Sequence, residues 1–259
     1  MIVRTKEDRE GVIESGRRLG VVLEEVGKLV APGVSTEELD RLAEKLIREG
    51  GDEPAFLDYT PERAARPYPA TLCVSVNDEV VHGIPNEAPR ILKKGDIVAL
   101  DLGLIHKGYV SDSAISVAVG EIDATSKKLM QVTKEALEAG IKAARPGNRV
   151  GDISHAIESV YKGTGFSVVK VLGGHGVGGS VHEEPWIANV GRPGTGPEIE
   201  EGMVLALEPI ANAGKGSVVL ASDGYTYRTK DGSRSAHFEH TILVEKNTTL
   251  VVTRRPSEQ

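Results

Sequence analysis

An α+β fold, with helices covering one curved antiparallel sheet, is predicted by three features of the 259-residue sequence. Two stretches of helical apolar periodicity each stop at a Pro-Gly pair, Pro32-Gly33 and Pro146-Gly147, and a second helical stretch follows each pair. The pairs lie 114 positions apart, and the offset persists beyond them: Leu39, Leu42 and Leu46 correspond to Ile153, Ala156 and Val160. Short apolar strands bounded by turn residues follow each helix pair. Each half therefore reads helix, Pro-Gly, helix, strands. Two pseudo-twofold halves of one domain are expected, about residues 6–120 and 121–250 of 1–259.

From Lys6 to Val30, the residues Val12, Leu19, Val22, Leu23, Val26, Leu29 and Val30 recur at helical spacing. Ser35 or Thr36 can cap the next helix, which runs to about Glu49. Glu37 and Glu38 lie in its first turn, where carboxylates suit the helix dipole. Glu53 to Pro69 is proline-rich and irregular. Thr71–Val76 then reads as a strand, Asn77-Asp78 as a turn, and Glu79–Pro85 as a second strand. Ile97–Gly103 is an apolar strand interrupted by Asp101. After a turn at Lys107-Gly108, the alternating run Tyr109–Val119 returns as the other arm of a hairpin and carries Asp112. Helices are expected over Asp123–Ala144 and Val150–Lys162. A glycine-rich run with His175 follows, and then two apolar strands, Met203–Ile210 and Ser235–Val244, with Glu208 and Glu239 set into them.

Acidic residues outnumber basic ones, 38 to 31, for a net charge of −7, and no basic run exceeds two residues, which argues against a general nucleic-acid binder. The single cysteine, Cys73, excludes an intramolecular disulfide and suits a reducing compartment. The charged N-terminus has no secretory core, and no apolar run is long enough to span a membrane. A cytoplasmic, soluble monomer that binds neither DNA nor membrane is the expectation.

The chemistry-bearing residues are acids where acids are costly. An ionised carboxylate in an apolar strand needs a positive neighbour. Around Asp101, Asp112, Glu208 and Glu239 the strands supply no lysine or arginine. One such residue alone would commonly be an edge position, and one histidine among glycines commonly a turn. Together with His175 they form a carboxylate-rich donor set suited to Mn²⁺, Fe²⁺, Co²⁺ or Zn²⁺. Four negative charges exceed what one divalent ion neutralises, so two ions sharing carboxylates fit better.

These residues stand in motifs that resemble the type I methionine aminopeptidases: D-L-G to Asp112, G-H-G-V-G from Gly174, H-E-E-P from His182, L-E-P from Leu207 and F-E-H-T from Phe238. N-D-E-V-V-H-G-I-P, from Asn77 to Pro85, is a further match, and the similarity extends from about Lys6 to Leu250 in the family's order. Only 26 positions separate His182 from Glu208, and no zinc-finger segment precedes Lys6, as in the short bacterial form. The resemblance implies the pita-bread fold and removal of the initiator methionine from nascent chains, with the ribosome as a candidate docking partner. It implies two divalent ions, one held by Asp101, the other by His175 and Glu208, with Asp112 and Glu239 bridging. His182 would stabilise the oxyanion, Glu208 would shuttle a proton, and His82 would steady the scissile nitrogen. Tyr68, Cys73, Val181 and Tyr225, with His82 and His182, would contact substrate.

The chain departs from the common family pattern in two places. G-Y-V-S-D stands where G-Y-H-G-D is usual, and Ala65, Val181 and Tyr225 replace larger pocket aromatics, which predicts a less exclusive methionine pocket. Competing readings are an Xaa-Pro aminopeptidase or prolidase of the same fold, which usually carries a large N-terminal domain, and a non-catalytic peptide-binding module, which would lack the ligands.

Overall fold

The computed structural model describes residues 1–61 and 64–259. The first helix pair is α1 (Lys6–Leu29) and α2 (Thr36–Glu49); the second is α3 (Ala124–Ala143) and α4 (Val150–Tyr161). Helices α2 and α4 begin 114 positions apart, as the sequence periodicity predicts. The N-cap of α2 is Ser35 rather than Thr36. Its hydroxyl accepts from the Glu37 amide while the Glu38 carboxylate accepts from the Ser35 amide, a capping box worth about 1 kcal/mol. Thr36 instead donates its hydroxyl to the Pro85 carbonyl and so ties α2 to the loop beyond His82.

The strands are β1 (Glu53–Pro54), β2 (Leu72–Val76), β3 (Glu79–Val81), β4 (Ile97–His106), β5 (Tyr109–Ala118), β6 (Ser167–Val168), β7 (Gly173–Gly176), β8 (Glu183–Ala188), β9 (Val204–Leu207), β10 (Ile210–Asn212), β11 (Val218–Leu220), β12 (Tyr227–Thr229), β13 (Ser235–His237), β14 (His240–Val244) and β15 (Thr249–Val251). Among the described residues they are antiparallel throughout and fall into four ladders: β1, β4, β2 and β5; β13-β10-β6; β11-β12-β3; and β15-β14-β9-β7-β8. The β4–β5 hairpin turns at Lys107-Gly108, both with positive φ, the geometry of a type I′ connection.

Each helix pair covers one half. Leu19, Leu23, Val26, Leu39, Ala43 and Ile47 pack on Leu72, Leu100, Leu102 and Leu104; Leu129, Ala136, Leu137, Ile153 and Ile157 pack on Leu205, Leu207, Ile242 and Val244. Burying each large aliphatic side chain contributes about 1.5–3 kcal/mol. The pleat then aims the intervening residues the other way. Leu100 and Leu102 face the helices, so Asp101 faces the opposite side of the sheet, together with residues that line the central cavity.

Two sequence expectations require correction. Glu208 and Glu239 do not lie inside strands but in the breaks between β9 and β10 and between β13 and β14. At the first break the chain crosses from the five-stranded ladder to the three-stranded one and at the second it crosses back, and Pro209 has no amide with which to continue pairing. The strand expected to reach Pro85 stops at Val81, because His82 is in the left-handed region at φ 57°. Such a backbone is uncommon outside glycine, and His82, which adopts it, lines the cavity.

Candidate metal centre and peptide cavity

The seam between the two halves builds the site. The Ala114 amide on β5 donates to the Glu239 carbonyl at 3.3 Å, and the Glu239 amide donates to the Ala114 carbonyl at 2.9 Å. Two residues away, the Thr241 hydroxyl replaces a backbone partner: it accepts from the Asp112 amide (2.9 Å) and donates to the Asp112 carbonyl (2.7 Å). Ser113 donates to the Glu239 carbonyl and Ser116 to that of His237, at 2.8 and 2.9 Å. Asp101 pairs with Ala114 in the hairpin and Asp112 lies two residues from that position, so both aspartates share one face. Glu239 is therefore delivered beside Asp112 across the seam.

His175 sits at an irregularity of β7, between Gly174 and Gly176. A Cβ on either glycine would stand 2.2 Å from a carbonyl oxygen of the neighbouring strand, so only glycine allows this close packing. The His175 Nδ1–H donates to the Gly176 carbonyl at 2.9 Å. A carbonyl can only accept, so the ring proton is on Nδ1 and Nε2 presents a lone pair. That lone pair lies 3.5 Å from Glu208 and 4.0 Å from Asp112. Asp112, His175 and Glu239 each offer a donor atom within 4.8 Å of the others, all buried.

The electrostatics of this cluster call for a cation. Desolvation raises Asp101 from 3.8 to about 7. Desolvation first, and then repulsion among the carboxylates, raises Asp112, Glu208 and Glu239 well above the usual range. Asp101 Oδ1, Asp112 Oδ1 and Glu239 Oε1 are buried with no hydrogen-bond partner among the described residues. Buried carboxylate oxygens without donors are expensive, and a divalent ion supplies what they lack. The donor set, four carboxylates and one imidazole with a free lone pair, fits a hard or borderline divalent metal.

The cluster forms part of the lining of a cavity of about 380 Å³. His82, Asp101, Asp112, His175, His182, Glu208 and Glu239 line it together with Tyr68, Cys73 and Tyr225. Burial lowers His82 to about 4, with the nearby His182 contributing. It lowers His175 to about 3, again with a contribution from His182. Desolvation by the enclosing wall also lowers His182, although part of its ring remains exposed at the mouth.

The pocket wall differs from the sequence expectation. Ala65 is exposed, and Ala64 lines the cavity instead. Val181 is buried in the apolar cluster with Tyr68, Cys73 and Tyr225 and is not among the lining residues. The wall is aromatic: Phe56, Tyr59, Tyr68, Tyr225 and Tyr227 all face the cavity. The Tyr68 and Tyr225 rings meet edge to face at 5.1 Å, and Tyr225 donates its hydroxyl to the Arg66 carbonyl.

Sequence reasoning passed over four residues. His237 is buried with Nε2 3.7 Å from Glu239 and 3.8 Å from Glu208, and neither ring nitrogen has a hydrogen-bond partner among the described residues. Thr241 clamps Asp112. Asn189 is fully buried and donates to the Glu208 carbonyl at 3.0 Å. Tyr59 reaches His182. The histidine two positions before Glu239 and the threonine two positions after it were visible by proximity to an acid; nothing local marks Asn189 or Tyr59.

Comparison with known proteins agrees with this geometry. Residues 10–246 match the family model for metallopeptidase family M24. Methionine aminopeptidase 1 of Bacillus subtilis is 43% identical over 98% of this chain and 99% of its own. The methionine aminopeptidase of Aquifex aeolicus is 42% identical over 96% and 97%. A crystal structure of the methionine aminopeptidase from Thermotoga maritima superposes with a TM-score of 0.93 at 41% identity, covering 98% of this chain and 100% of that one. No helix among the described residues is long and apolar enough to cross a membrane. With the pita-bread architecture, the buried donor set and whole-chain similarity in agreement, this chain belongs to the methionine aminopeptidases of metallopeptidase family M24.

Proposed function

We propose that the protein removes the initiator methionine from nascent chains in the cytoplasm, acting as a monomer with two divalent ions drawn from Mn, Fe, Co and Zn. The observation that carries this reading is the meeting of five donor residues, three of them carboxylates with unpartnered oxygens, in the lining of an aromatic cavity. Asp101 would hold one ion, His175 and Glu208 the other, and Asp112 and Glu239 both. Bound there, the ions supply Lewis-acid polarisation and a water acidic enough to ionise near neutral pH. We read residues 1–259 as one catalytic domain of two pseudo-repeated halves, about 6–120 and 121–250; the 114-residue spacing of α2 and α4 supports this.

The remaining steps belong to this chain's side chains. The aromatic wall holds the methionine thioether through polarisable contacts. The carboxylate-lined end suits a free α-amine, the charge that distinguishes a chain terminus from an internal peptide bond. His182 donates to the carbonyl oxygen as negative charge develops on it. Glu208 takes the proton of the attacking water and passes it to the departing amine. His82, held by its left-handed backbone, steadies the scissile nitrogen.

The test is hydrolysis of Met-Ala-Ser alongside metal analysis. Chelation is expected to abolish turnover, and Mn²⁺, Co²⁺ or Fe²⁺ to restore it at two ions per chain. Full turnover in demonstrably metal-free protein contradicts the proposal.

A further inference from the structure

We propose that Tyr59 is a positioning residue that fixes the His182 ring in the tautomer carrying its proton on Nε2. The Tyr59 hydroxyl lies 2.9 Å from His182 Nδ1, with the ring centroids 5.4 Å apart. The two residues are 123 positions apart in sequence, so the pairing is tertiary. Tyr59 is firmly placed for this. Its amide donates to the Phe56 carbonyl at 3.0 Å, its own carbonyl accepts from the Tyr68 amide at 2.9 Å, and Asp58 bonds back to Tyr68 at 2.9 Å. These bonds fix the backbone at Tyr59, whose side chain lines the cavity.

A neutral imidazole has one N–H and one acceptor nitrogen, and the partner of one decides the character of the other. A phenol is a better donor than acceptor, because its oxygen lone pair is delocalised into the ring. Tyr59 therefore donates to Nδ1, and Nε2–H remains for the substrate. The neighbouring His175 makes the contrast, its ring centroid 4.6 Å from that of His182. There Nδ1 faces a carbonyl, carries the proton itself and leaves Nε2 as a lone pair. Two adjacent imidazoles are thus set in opposite tautomers by opposite partners. One presents a lone pair suited to a cation; the other presents an N–H suited to an oxyanion. The inference rests on the reading of His182 as the oxyanion donor and adds the group that makes it one.

The test uses zinc-loaded protein labelled with ¹⁵N-histidine, whose seven histidines are resolvable by long-range ¹H–¹⁵N correlation, with His182 assigned from the His182→Ala spectrum. His182 is expected as the Nε2–H tautomer in the parent and as a mixture in Tyr59→Phe, which keeps the ring and removes the hydroxyl. In Met-Ala-Ser kinetics, Tyr59→Phe should lower kcat about five- to tenfold, the scale of one neutral hydrogen bond, with KM changed less than about twofold. In a His182→Ala background the same substitution should lower kcat no further. An Nδ1–H tautomer in the parent, an unchanged tautomer in Tyr59→Phe, or an equal loss in the His182→Ala background overturns the proposal. Undiminished kcat in His182→Ala would instead refute the oxyanion role alone, while the spectra still decide the tautomer.

Discussion

Stripping the metal should turn the carboxylate cluster into a pH-dependent weakness of the fold. In the unfolded chain all four carboxyls are ionised above about pH 5. In the metal-free folded protein desolvation and mutual repulsion keep Asp112, Glu208 and Glu239 protonated to much higher pH, and Asp101 to about 7. Groups raised in this way contribute fully below their unfolded values and lose that contribution as pH rises through the folded ones. The buried histidines act in the opposite sense at lower pH. His82 is lowered to about 4, and His175, His237 and His240 to about 3, so below about pH 6.5 only the unfolded chain takes up their protons. The two effects oppose each other in acid and separate above neutrality, where the imidazoles are neutral in both states. Between pH 7.0 and 8.5, each proton the folded cluster retains costs about 2 kcal/mol, or about 4–8 °C in Tm for a chain of this size. The assay is thermal unfolding of chelator-stripped protein at constant ionic strength over that range, repeated with Mn²⁺. The metal-free Tm should fall with pH, and the loaded protein should show little slope, because the cations replace the retained protons. A metal-free Tm that is flat or rising from pH 7.0 to 8.5, or an equal slope in the loaded protein, would refute the reasoning.

Three further outcomes follow from the geometry. If Asp112 bridges two ions as proposed, Asp112→Ala should lose both by elemental analysis; two ions retained per chain would remove its bridging role. Thr241→Val leaves the Asp112 amide and carbonyl without their hydroxyl partner and should destabilise the protein by about 2–4 kcal/mol in denaturant unfolding. A change below about 0.5 kcal/mol would show that the seam does not depend on it. Val181→Phe overfills a buried cluster rather than the cavity, so it should cost about 1–3 kcal/mol of stability. It should also leave the Met-Ala-Ser to Leu-Ala-Ser ratio of kcat/KM within about twofold. A sharpened preference for methionine would return Val181 to the pocket wall.

The hairpin of Asp101 and Asp112 is legible in the sequence because everything that defines it is local. The strands have period 2, the turn needs two positive-φ residues in succession, and Lys107-Gly108 supplies them. The helices were legible for the same reason, their boundaries being set by Ser35, Asp123, Pro32 and Pro146. The sequence leaves the pocket wall least legible at Ala65 and Val181. Which of Ala64 and Ala65 faces a cavity depends on tertiary packing, and local sequence does not encode that direction.

The sequence by itself singled out the acids that stand where an acid is costly. A carboxylate without a neighbouring cation is costly wherever the chain puts it, so Asp101, Asp112, Glu208 and Glu239 are conspicuous in one dimension. Only the tertiary structure decided how they meet. Glu208 and Glu239 lie where two strands change ladders, a position invisible to periodicity because the pattern stays apolar on both sides of the break. Asp112 is held by Thr241 from 129 positions away, and His182 by Tyr59 from 123. Hydrogen bonds across such separations form between whichever donors and acceptors the packed halves bring within about 3 Å. That juxtaposition is a property of the seam and not of any segment.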